Sequence, residues 1–193
     1  LLNLNNLAAD TGVSQPTARA WLTLLEANYI VFQLQPRHAN LRKRLTRSPK
    51  LYFHDVGLAS FLLGINQQSQ LATHPLRGQL FENLVISEAM KWHFNRGRRP
   101  QLSFYRDSGG LEVDLLIERP VHSLAIEIKS GATVSGDMLS SLHRLAALDP
   151  GATGIRMLVH GGSLNATREG VWLVSLSDFP AALAHGESPA GAR

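Results

Sequence analysis

Two short apolar runs, 111–117 and 122–129, joined by a tight proline-containing turn, constrain this chain most. In Leu111-Glu112-Val113-Asp114-Leu115-Leu116-Ile117 and in Leu124-Ala125-Ile126-Glu127-Ile128-Lys129, β-branched and aliphatic residues dominate, so both read as strands. Side chains on a strand alternate faces, which groups Glu112, Asp114 and Leu116 on one side and Ala125, Glu127 and Lys129 likewise. A turn at 118–121, with Pro120 in it, makes the two runs a hairpin centred near residue 120. That register sets Asp114 nearly opposite Glu127, with Cβ atoms ~5 Å apart, and Lys129 two residues along. Two carboxylates this close repel unless a cation lies between them. Mg²⁺ or Mn²⁺ suits an all-oxygen donor set, can hold a phosphoryl oxygen, and lowers the pKa of a bound water. Glu82, on the preceding helix, would supply a third carboxylate, and Lys129 could orient the water or offset charge on the phosphorus. An ordinary Asp/Glu/Lys ion pair on a half-exposed hairpin is the alternative.

The elements around this hairpin alternate between helix and strand. A helix is expected over about 77–95, strands at 102–106, 111–117 and 122–129, a helix over about 135–148, strands at 155–160 and 171–176, and a short helix from about 177. Residues 3–35 form a different unit. Leu4, Leu7 and Ala8 have helical spacing, Thr11-Gly12-Val13 is a turn, Ser14 is a good N-cap and Pro16 sits in the first turn of the next helix. That helix runs to about Asn28 with Ala18, Trp21, Leu22 and Leu25 on one face, and a strand over 29–34 follows. Two helices, a glycine turn and a strand are the order of a winged helix-turn-helix. A closing strand and a short helix ending at Gly64 complete it.

Charge points to an anionic partner for this first unit. Residues 1–95 carry nine Lys/Arg against five Asp/Glu, whereas residues 96–193 carry ten of each, so the whole net charge of +4 lies in the first half. Gln15, Thr17 and Arg19 near the start of the second helix could reach base edges or phosphates. The wing, 35–53, holds Arg37, Arg42, Lys43, Arg44, Arg47 and Lys50, with no acid between Glu26 and Asp55. Docking to a protein is the competing use of such a unit. Arg96, Arg98 and Arg99 form a second basic cluster, and Arg106 could touch a phosphate.

Several function classes are excluded. The absence of cysteine removes disulfides, a zinc finger and a thiol nucleophile, and fits a cytoplasmic protein. No apolar run reaches the ~18 residues of a membrane span, no G-x-x-x-x-G-K-[ST] loop occurs, and no H-E-x-x-H or G-x-S-x-G is present. The chain starts Leu1-Leu2-Asn3 without methionine, as a piece of a longer protein would.

Glu82 on a helix, Asp114 on a strand and Glu127-Ile128-Lys129 on the next resemble the PD-(D/E)xK nuclease superfamily. That resemblance implies a restriction-endonuclease-like αβββαβ core in which Asp114, Glu127 and Glu82 serve the metal and Lys129 positions the attacking water. Val113 stands where the superfamily usually has proline. Over nearly the whole chain, Gly12-Val13-Ser14, Leu51-Tyr52-Phe53-His54-Asp55-Val56-Gly57-Leu58, Gly78-Gln79-Leu80-Phe81-Glu82-Asn83-Leu84-Val85, Phe104-Tyr105-Arg106-Asp107 and Glu112-Val113-Asp114 resemble the C-terminal domain of bacterial and archaeal AAA-type ATPases. This second resemblance implies an ATP-binding domain ahead of Leu1, so that ATP would act only through that domain.

The expected protein is therefore α/β (α+β). It has a winged helix-turn-helix at 1–68, a linker at 69–75, a nuclease-like domain at 76–184 and a disordered tail at 185–193. The expected catalytic residues are Asp114, Glu127, Lys129 and Glu82, with Mg²⁺ or Mn²⁺ on Asp114, Glu127 and Glu82. DNA is the expected partner, through Gln15, Thr17, Arg19, Arg42, Lys43, Arg44 and Arg47, alongside the ATPase domain of the parent chain. Membrane association is not expected, and self-association stays open. A catalytically inert module that binds DNA or protein and docks the ATPase is the alternative function.

Overall fold

The computed structural model describes residues 1–37, 48–120 and 122–185. Arg42, Lys43, Arg44, Arg47 and the tail beyond His185 lie outside the described residues.

The chain opens with α1 (Leu4–Thr11) and α2 (Gln15–Ala27). The Asn3 side chain caps α1, and the Ser14 hydroxyl accepts the Thr17 N–H at the start of α2, where Pro16 lies in the first turn. Ala18 and Leu22 are buried, but Trp21 is 51% exposed and Leu25 39% exposed. The expected apolar face of α2 is thus only half covered.

After Tyr29, in the left-handed region at φ 57°, the chain enters β1 (Val31–Pro36), which pairs antiparallel with β2 (Lys50–Phe53). Then come α3 (Val56–Leu62), capped by the Asp55 carboxylate, and α4 (Gln68–Thr73). The Gln/Ser-rich stretch expected as a linker therefore carries a helical turn and a half. Its start is tied by Gln70, whose side chain accepts the N–H groups of Asn66 and Gln67.

From there the elements are α5 (Arg77–Phe94), β3 (Leu102–Arg106), β4 (Glu112–Ile117), β5 (Leu124–Lys129), α6 (Ser140–Leu148), β6 (Ile155–His160), β7 (Ala166–Arg168), β8 (Val171–Ser175) and α7 (Phe179–His185). The expected helix at 135–148 begins as a separate 3₁₀ turn, Gly136–Leu139. β7, three exposed residues, has no counterpart among the expected strands.

The eight strands of the described residues join one mixed sheet in the order β2-β1-β3-β4-β5-β6-β8-β7. β1 pairs parallel with β3 at Gln35↔Ser103 and Pro36↔Phe104, so the sheet runs across the expected boundary between the two units. Arg37 is drawn into this junction, with ion pairs to Glu118 (2.9 Å) and Asp149 (3.4 Å) instead of facing solvent on a wing.

Two apolar clusters sandwich the sheet. One holds Val85, Ile86, Ala89 and Trp92 of α5 and Phe179 and Leu183 of α7 against Leu115, Ile117, Leu124, Ile126 and Ile128. The other holds Leu142 and Leu145 of α6 against Val113, Leu116, Ala125 and Leu158. Burying six such aliphatic side chains contributes on the order of 10 kcal/mol before chain entropy is charged against it. The layers are therefore helix, sheet, helix. The β5–α6–β6 crossover accounts for the parallel pairing of β5 with β6, and Gly161 lets the end of β6 meet the turn after β5. A Cβ at Gly161 would lie 2.4 Å from the carbonyl oxygen of Ser130.

Candidate functional site

β4 departs from strict alternation where it matters. Ser103 of β3 pairs Leu116, and Tyr105 pairs Val113, so Asp114 and Leu115 together oppose Phe104. That is a β-bulge, one extra residue in β4. Its consequence is visible in the core: Val113 and Leu116 pack on the α6 side, Leu115 and Ile117 on the α5 side. Asp114 and Leu116 therefore do not share a face as regular alternation predicted. The bulge turns Asp114 toward α5 and β2.

The hairpin register itself is the expected one. Leu115↔Ile126, Leu116↔Ala125 and Ile117↔Leu124 are paired, and the next step would be Asp114 and Glu127. The ladder opens there, and Asp114 Oδ2 accepts the Ile128 N–H at 2.9 Å. A side chain thus closes the ladder where the two backbones part.

Both acids are buried: Asp114 is 8% exposed and Glu127 5%. Burial, the neighbouring negative charges of Glu127 and Glu82, and only partial relief from Lys50 and Lys129 push Asp114 up to about 7. Burial also raises Glu127, opposed by Lys129 and by a hydrogen bond from Ser141. Lys129 Nζ donates to Glu127 Oε1 at 2.6 Å, and Ser141 Oγ of α6 donates to Oε2 at 3.2 Å. For Lys129 the effect of burial is to lower its pKa, but Glu127 outweighs that and the ammonium is held above its usual range.

Glu82 comes from α5 through a rigid attachment. The side chain of its neighbour Asn83 donates to the Phe53 carbonyl at 2.7 Å and accepts the Phe53 N–H at 2.8 Å, stapling α5 to β2. Two residues of β2 on one face, Lys50 and Tyr52, then meet Glu82 Oε1 at 2.8 and 2.5 Å. The Lys50 ammonium also lies 2.7 Å from Glu112 Oε1 and 3.7 Å from Asp114 Oδ1, with the Phe104 ring 5.3 Å away. Burial opposes the charge on Lys50, but Glu82 and Asp114 overcome it and raise its pKa. The Tyr52 phenol is held neutral by burial and by Glu82. Arg106, at the rim, pairs with Glu112 at 3.0 Å. A largely apolar cleft of about 640 Å³, walled by residues such as Leu62, Leu63 and Leu76, reaches Lys50, Tyr52, Glu82, Arg106 and Glu112 but is not lined by Asp114 or Glu127.

Glu82 and Asp114 thus meet through Lys50 on the α5 side of the sheet, whereas Glu127, bonded by Lys129 and by Ser141 of α6, alternates to the other side. Asp114 and Glu127 therefore influence each other's charge without sharing the face that regular alternation predicted. Sequence reasoning missed Tyr52 and Ser141, noted Glu112 without a role, and placed Lys50 among the cations of a phosphate-facing wing, whereas it lies among Glu82, Glu112 and Asp114. The i, i+2 spacing of Lys50 and Tyr52 on a short strand was the available signal. Gln15, Thr17 and Arg19 are on α2. Gln15 and Arg19 are exposed, and the Thr17 hydroxyl shares a 2.8 Å hydrogen bond with Ser14, so it belongs to the helix cap. Among the described residues, no three His, Asp or Glu side chains converge as a ready chelating group, and no helix is long and apolar enough to cross a membrane.

Comparison with known proteins gives two family matches: residues 77–179, more than half of the chain, match Domain of unknown function (DUF4143), and residues 1–69 match Domain of unknown function (DUF8612). Uncharacterized proteins of Mycobacterium bovis and Mycobacterium tuberculosis are each similar to this chain, 36% identical over 152 residues, covering 75% of this chain and 34% of their own. The chain spans about a third of the length of these curated relatives.

Proposed function

The chain belongs to the DUF4143 family, whose description carries no activity, and from its site we propose that it is a nucleic-acid-processing module with a divalent-cation-dependent phosphodiester-hydrolysing site. In this reading the site is of the PD-(D/E)xK type, the first 68 residues act as a DNA-binding winged helix, and the whole is the C-terminal part of an AAA-type ATPase. The observation that carries it is the burial of both Asp114 and Glu127 where β4 and β5 part, each acid raised, Asp114 partly by the charge of Glu127, and Lys129 fixed on Glu127. Burying two neighbouring carboxylates is costly and contributes nothing to stability by itself, which is the mark of a functional site.

The donor chemistry fits Mg²⁺ or Mn²⁺: Glu82, Asp114 and Glu127 offer oxygen alone, and the place of positive charge among Glu82, Glu112 and Asp114 is marked by the Lys50 ammonium. Such an ion would supply Lewis-acid polarisation of a phosphoryl oxygen and a more acidic water. The chain's own residues do the rest. Lys129 keeps two N–H donors after bonding Glu127, enough to orient a water or hold a phosphate oxygen. Asp114, accepting the Ile128 N–H, is fixed in direction whichever protonation state it holds. Arg106, whose side chain is 43% exposed, can meet a phosphate at the rim of the cleft. Of the expected contacts on α2, Gln15 and Arg19 are exposed and can approach DNA. The test is cleavage of plasmid and branched DNA with Mg²⁺ or Mn²⁺ by the wild type and Asp114→Ala. Cleavage lost in the variant supports the assignment, and cleavage equal in both, or absent from the wild type, removes it.

One observation favours a second reading. Lys50 and Lys129 already neutralise the carboxylates, as in an inert module that binds DNA or a partner and docks the ATPase domain. Salt-dependent DNA binding by a chain that takes up no divalent cation would select it.

A further inference from the structure

We propose that Lys50 is the resident counter-cation of this site, and that it must give up Glu82, Glu112 and Asp114 for a divalent cation to load. The inference rests on the cation-dependent reading above. Lys50 is the one ammonium among the described residues that meets three of the four acids, at 2.8, 2.7 and 3.7 Å. A lysine and a hard cation compete for the same lone pairs, because an ammonium only donates and a carboxylate only accepts.

Its three partners do not need it to stay in place. Glu82 keeps the Tyr52 hydroxyl, Glu112 keeps Arg106 and Asp114 keeps the Ile128 N–H. Removing the ammonium therefore leaves oriented oxygens rather than collapsed ones. Room for the departing side chain exists, since Lys50 lines the open 640 Å³ cleft and carries a flexible four-carbon stem. Lys129 is a poor candidate for the same role, being committed to Glu127. Because Lys50 comes from β2, the first unit sets the conditions under which the second can hold its ion.

The experiment is calorimetric titration of the full chain with Mn²⁺ at pH 8, comparing wild type, Lys50→Met and Lys50→Arg. Removal of a competing unit charge within 4 Å should tighten Mn²⁺ binding in Lys50→Met by at least about tenfold, while Lys50→Arg stays within about threefold of wild type. Equal or weaker binding by a folded Lys50→Met chain overturns the proposal and leaves the cation site standing. No Mn²⁺ uptake by either chain overturns the cation reading and this proposal with it. Should Lys50→Met fail to fold, the wild type alone decides. Amine acylation read by mass spectrometry should find Lys50 protected in metal-free protein and modified several-fold faster at saturating Mn²⁺. Unchanged Lys50 modification overturns the proposal.

Discussion

Replacing Asp114 by asparagine should make the metal-free protein more stable at alkaline pH. The carboxyl titrates near 3.8 in an unfolded chain and is pushed up to about 7 here, first by burial and then by Glu127 and Glu82. Its folded pKa is raised, so the folded state keeps a proton that the unfolded state has lost between those values. The associated stability is full below about pH 4 and is lost as the pH rises through 7. The shift corresponds to about 4 kcal/mol at pH 8, the cost of ionising this buried acid in the fold. Asparagine avoids that cost and can still accept the Ile128 N–H, but it buries an amide donor at a cost of about 1–3 kcal/mol. A net gain of about 2 kcal/mol remains, or ~4–8 °C in melting temperature for a chain of this size. At pH 5 the native carboxyl is already protonated in the fold, and the gain should fall close to zero. Thermal melts of both chains with chelator at pH 5 and 8 make the comparison. A variant no more stable than wild type at pH 8 would refute the burial and charge argument.

Other substitutions probe the scaffold. Asn83→Ala cuts both links between α5 and Phe53 and strands a strand N–H, so the chain should lose about 2–4 kcal/mol, read as a lower denaturant midpoint. Gly161→Ala drives a methyl to 2.4 Å from the Ser130 carbonyl, and the resulting backbone shift should cost about 1–3 kcal/mol in the same assay. Trp21→Gln, on the half-covered face of α2, should move the midpoint by less than about 0.5 kcal/mol.

The central hairpin was legible because its signals are local. Apolar runs bound a proline turn, and the register follows from the turn's centre. α2 was legible for the same reason, through Ser14 and Pro16. The bulge was not, because one extra residue in β4 leaves the letters of the alternating pattern unchanged while it redirects Asp114. The place of Lys50 was not legible either. It depends on β1 pairing with β3, residues about 68 apart in sequence, and no local propensity reports such a contact. Trp21 and Leu25 show the opposite failure, in which helical periodicity names an apolar face that the described structure leaves open to solvent. β7 carries no apolar residue beyond Ala166 and so offered no strand signal.

The acidic site as a cation site is the claim on which the rest stands, and Mg²⁺ titration by calorimetry tests it most directly, on the wild type and Asp114→Ala at pH 8. One binding event in the wild type, absent from a folded Asp114→Ala chain, is the predicted result. Identical traces from the two chains, or no heat from the wild type, would contradict it.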